Sequence, residues 1–256
     1  MNPETCIQLV MQSRAGSRKA MLQLLRLAHT PVSYLCRKLI ANEMAAEIMT
    51  RQVLSAMPRQ LGALNDPAEF ETWISRIAAS RCMQALSQME RPARDESELV
   101  MPEIPAGNLD TLQTAKLVEE LVDLLPEAPR LCLLLYSCAG LRLKGISQLT
   151  GFPESAVLDY LNQAQKTINS QLRQYHKMGV HFDPIPALST LVRTAMYSTA
   201  NPKAAALMVR DMVPKTAAPA PARKSFRIPR QMRIAIIAAS ALLLTMLAVI
   251  VLLETL

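Results

Sequence analysis

Five cysteines and three histidines are the residues of this chain best suited to hold a metal or to carry a redox or nucleophilic step, and their spacing fits none of these roles. Cys6, Cys36, Cys82, Cys132 and Cys138 match no zinc-ligand or Cys-x-x-Cys pattern, and each falls among apolar residues of a predicted helix. They are expected as reduced thiols in a core. His29, His176 and His181 have no partner at ligand spacing and read as surface or loop residues. With no glycine-rich phosphate loop, no paired carboxylates and no nucleophile motif, the sequence predicts neither cofactor nor metal, and catalysis is the function it supports least. The side chains left are ones that recognise rather than react. Tyr160, Asn162, Gln163, Gln165 and Lys166 follow one another on a predicted helix.

The elements that must carry these residues read as helices throughout. Leu, Ala, Met and Gln dominate, aromatic residues make up only 4%, and there are 7 glycines. The fold class expected is all-α: two small helical domains and a C-terminal transmembrane helix. In residues 1–90, segments near Ile7 to Met11 and Lys19 to Ile40 precede a helix that Asn42 can cap and that carries Met44, Ile48 and Leu54. Asp66-Pro67-Ala68-Glu69 then has the form of a helix start, with a cap, a proline in the first turn and a Glu to close a capping box. Phe70, Trp73, Ile74, Ile77 and Ala78 repeat behind it as one stripe, predicted buried, on a helix running to about Met89. Together these make a bundle of about four helices.

Residues 91–108, with Pro92, Pro102 and Pro105, form a linker to a second helical domain at 109–178. Leu117, Leu121 and Leu124 mark one helix, stopped at Pro126. Leu131, Leu134, Leu135 and Cys138 mark the next, which Gly140 ends. A short helix from Lys144 to Thr150, a turn at Gly151-Phe152 and a longer helix with Val157, Leu161, Ala164, Ile168 and Leu172 on one side make a helix-turn-helix pattern, which an ordinary helical corner also produces. Residues 179–213 hold two further apolar stretches split by Asn201-Pro202, read as a helical hairpin without an assigned role.

The net charge of +7 is unevenly placed: residues 1–180 are almost balanced, whereas Lys215, Arg223, Lys224, Arg227, Arg230 and Arg233 stand in the Pro- and Ala-rich linker 214–233 without acidic neighbours. The uncharged stretch 234–253 follows. About 20 helical residues span roughly 30 Å, so it has the length of a membrane crossing. With its cations on the N-terminal side only, the positive-inside rule predicts a single-pass protein of the cytoplasmic membrane with its N-terminal body in the cytoplasm. The start of the chain, with Glu4 and no apolar run before Arg14, does not read as a secretory signal. The basic linker adds attraction to anionic lipid headgroups, about 1 kcal/mol per charge near the surface.

Read in order, the two domains resemble the extracytoplasmic-function class of the sigma-70 family, the bacterial subunits that direct RNA polymerase to promoters. The resemblance covers about residues 5–175. Residues 69–79 (EFETWISRIAA) resemble the Phe- and Trp-containing helix of the family's first domain; LLPEAPR from Leu124, CAGL from Cys138 and ISQLTG from Ile146 resemble the leading motifs of its second. The resemblance implies a DNA-reading helix at Tyr160, Asn162, Gln163 and Lys166. It also implies a polymerase-docking helix at Glu47, Arg51 and Gln52. The partners implied are RNA polymerase core, promoter DNA bound weakly by this chain alone, membrane lipid, and an anti-sigma or other regulatory protein. The chain departs from the family pattern at named places. Ile48 stands for a second acid, Arg51 for a Gln and Ser80 for an Asn. Leu158, Asp159, Tyr160, Asn162, Gln163 and Gln165 stand where the family carries several Lys and Arg. The alternative these departures leave is an adaptor at the membrane that keeps the fold and binds a protein without reading DNA.

Overall fold

The computed structural model describes residues 3–40, 42–88, 102, 107–210 and 212. The linker 214–233 and the apolar stretch 234–253 lie outside the described residues, as does most of the linker 91–108. Among the described residues there are ten α-helices, and the protein is mostly helical. No helix among them is long and apolar enough to cross a membrane.

The first group is α1 (Pro3–Arg14), α2 (Arg18–Leu39), α3 (Glu43–Gln60) and α4 (Phe70–Gln88). Its starts are set by side-chain caps: the Ser17 hydroxyl accepts from the Ala20 amide at 3.3 Å, and the Asn42 carbonyl oxygen accepts from Ala45 at 2.9 Å. Each replaces a missing intrahelical partner of the first turn. The Asp66 carboxylate accepts from Ala68 at 2.9 Å, but the residues it starts, Pro67–Glu69, form a 3-10 turn that leads into α4. Between α3 and that turn, the Arg14 guanidinium donates to the carbonyls of Leu61 and Leu64 and pins the connection to α1.

The stripe predicted on α4 is rotated, and α3 turns two of its apolar residues outward. On α4 the buried residues are Phe70, Ile74, Ser75, Ala78, Ala79, Cys82 and Met83, whereas Trp73 and Ile77 are only half-buried. α4 packs on α2 with small Ser and Ala side chains on its buried side, and the indole is left at the rim, 6.0 Å from the Phe70 ring. On α3 the inward side is Ala46, Thr50, Val53, Leu54 and Met57, so Met44 and Ile48 face out. Thr50 enters the interior because its hydroxyl donates to the Ala46 carbonyl at 2.8 Å.

The second group is α5 (Thr111–Asp123), α6 (Glu127–Ser137), α7 (Leu143–Thr150) and α8 (Glu154–Lys177). Asp110 and Gln113 close a reciprocal capping box at the start of α5, with bonds of 2.7 and 3.0 Å. A two-residue parallel bridge, absent from the helical expectation, pairs β1 (Asn108–Leu109) with β2 (His181–Phe182), one on each side of the four helices. Past it come α9 (Leu188–Ser198) and α10 (Pro202–Val209), the latter capped by Asn201 at 3.0 Å.

The buried residues of both groups belong to one continuous apolar cluster. Polar contacts join the groups as well: the Lys38 ammonium lies 3.1 Å from Glu119 and 2.6 Å from Asp123, over the Tyr34 ring, and the Arg76 guanidinium donates to the Gly140 carbonyl at 3.2 Å. Gly140 has φ +60°, and a Cβ there would sit 2.9 Å from the Thr72 methyl, so both backbone and space require glycine. All five cysteines are free and buried, with the Cys36 and Cys82 sulfurs 3.6 Å apart. His29, expected at the surface, is buried in α2, and burial lowers its pKa.

Candidate functional site

The residues singled out by sequence lie on two helices, and both sets point outward. On α3, Glu47, Arg51 and Gln52 are exposed, and Arg51 pairs with Glu47 at 3.7 Å, one turn away. Met44 and Ile48 share this face at 74% and 52% exposure. Spacing at i, i+3, i+4, i+7 and i+8 puts all five on one stripe. An apolar pair displayed between charged neighbours on a regular helix has the composition of a protein-docking surface.

On α8 the inner positions are Val157, Ala164, Ile168 and Leu172, with Leu161 half-buried, so Asn162, Gln163 and Lys166 are exposed on the other side. Tyr160 is different: it is half-buried and meets Phe152 edge-on at 5.4 Å, so its ring braces the turn into α8. That turn is set by Gly151, whose left-handed φ of +80° ends α7, with its amide on the Ser147 carbonyl at 2.9 Å. From Glu154 to Ile168 the outer face of α8 carries Glu154 and Asp159 against Lys166, with Leu158 47% exposed among them; Arg173 and Lys177 follow only toward the C-terminal end of the helix. Amides on this stretch can pair with base edges, but its single cation gives little hold on a phosphate backbone.

A cleft on the first group was not foreseen. It encloses about 650 Å³ and is lined by Leu64, Trp73, Arg76, Ile77, Ser80 and Arg81, among others. The signal was present in the spacing: 73, 76, 77, 80 and 81 form one helical face, and two arginines on it are hard to reconcile with burial. The half-buried indole supplies a flat apolar wall and the guanidinium of Arg81 an exposed positive rim. Glu69 lines the same cleft, so its rim carries both signs of charge.

Among the described residues no group of His, Cys, Asp or Glu is arranged to hold a metal ion. No protein-family model and no curated protein matches this chain.

Proposed function

We propose that this protein is a membrane-tethered, sigma-factor-like regulator of transcription initiation, whose helical body engages RNA polymerase core and, through it, promoter DNA. What carries the reading is the outward display of Glu47, Arg51 and Gln52 with Met44 and Ile48 on α3, the helix that the sequence resemblance assigns to polymerase. A helix-turn-helix arrangement of α7, Gly151 and α8 in the same chain supports it, with the Asn162 and Gln163 amides facing out. In this reading the finer architecture is a region 2-like bundle in the first group and a region 4-like unit in the second. The tether is the stretch 234–253, argued from sequence alone.

A membrane adaptor that binds a protein is the second reading, favoured by the exposed Leu158 and the acidic Glu154 and Asp159 on the face of α8 that would meet DNA. One experiment separates the two. The detergent-solubilised full chain should co-elute with RNA polymerase core, and Met44→Glu with Ile48→Arg should weaken the complex about tenfold or more while the helical signal is unchanged. Absence of any complex with core would sink the first reading and leave the adaptor.

A further inference from the structure

The direct contacts between α1–α4 and α5–α8 include the Lys38 pairs, the Arg76 bond and the Thr72–Gly140 approach. α9 adds to them from outside both groups. It packs on α5 and α6 of the second group and on α2 of the first, burying Leu191, Val192, Ala195 and Met196. Arg193 on α9 reaches Glu71 on α4 at 2.8 Å, with the Glu71 side chain only 19% exposed. The Tyr197 hydroxyl lies beside the same carboxylate, and burial together with Glu71 raises its pKa. α10 then returns to α2, where Ala205 and Val209 are buried. After α10 the sequence passes at once into the basic, proline-rich stretch 214–233.

We propose that α9 and α10 form an intramolecular clasp that holds the two helical groups together, so that any partner requiring them apart must displace it first. The clasp bridges elements far apart in sequence by apolar burial, and Arg193–Glu71 fixes its register. It deepens the regulatory reading above and rests on that reading only for what opening would serve.

The Lys38 ammonium beside Glu119 and Asp123 reports closure directly, because a zero-length carbodiimide joins an amine to a carboxylate only while they touch. In the full chain the amide from Lys38 to Glu119 or Asp123 should form readily. Met196→Asp places an unpaired carboxylate in the seam and should lower the yield about tenfold, with hydrogen exchange rising in α9 and α10 but not in α2 or α8. Arg193→Glu should lower it less, and adding Glu71→Arg should restore it. An unchanged yield in a Met196→Asp chain whose α9 amides exchange freely overturns the clasp. So does failure of the charge swap to restore the yield, which remains decisive if Met196→Asp unfolds the body. Polymerase core separates this proposal from the function: a lowered yield in the opened variant supports the clasp whatever core does, whereas absence of any complex with core, in parent and opened variant alike, counts against the polymerase reading alone.

Discussion

Phe70 and Trp73 stand three residues apart on the same helix, yet only Phe70 is fully enclosed. Truncating a fully buried aromatic costs about 3–5 kcal/mol, from lost transfer energy and the cavity left behind. Phe70→Ala is expected to cost that much in urea unfolding. Trp73→Ala should cost clearly less, because the indole keeps part of its surface in the cleft and its neighbours can close over the space. Equal losses would mean that Trp73 is a core residue in solution. The period of three and four in the sequence makes a stripe legible but leaves its centre uncertain by one position, about 100° of helix. What centred it was the packing of α4 on α2 and its neighbours, with Ser75, Ala78 and Ala79 on the buried side, a property of the partner helices that no local pattern contains.

Helices and their limits were the most legible level, because they depend on local devices: Asn42 and Asn201 cap as their types dictate, and Pro126 and Gly151 fall at helix limits. The capping box at Asp110 and Gln113 has an equally local signature and went unread among the prolines of the preceding linker. Outward faces were harder to read. Met44 and Ile48 look like core from sequence because hydrophobicity is the usual sign of burial, and only the packing of α3 on α2 reveals that they are displayed. For α8 the charge pattern yields a direct test. Asp159→Arg with Gln163→Arg adds two cations to exposed positions, and each phosphate neutralised adds about 0.9 to the salt slope of log K for duplex DNA. The double variant should therefore gain nonspecific affinity with a slope steeper by nearly 2, measured by fluorescence anisotropy across a salt series. A folded variant with no gain would mean that this face does not meet DNA.

Across the whole molecule, the buried thiols tie stability to pH. Burial pushes the Cys132 thiol up to about 11 and Cys138 to about 12, from an ordinary value of 9.0. The unfolded chain ionises first, so their contribution is complete below about pH 9 and is lost as pH rises through the folded values. The urea midpoint should be level up to about pH 9 and fall steadily above it, in a fully reduced sample; a midpoint flat to pH 11 would show that these thiols are open to water. The two-residue bridge between Asn108–Leu109 and His181–Phe182 carries a different consequence. Because its strands run parallel, the chain leaves α5–α8 beside the place where it entered and heading the same way, having made a full circuit. The four helices are thus a cassette with adjoining ends, the arrangement in which a segment can be inserted into a host or permuted at little cost in closure entropy.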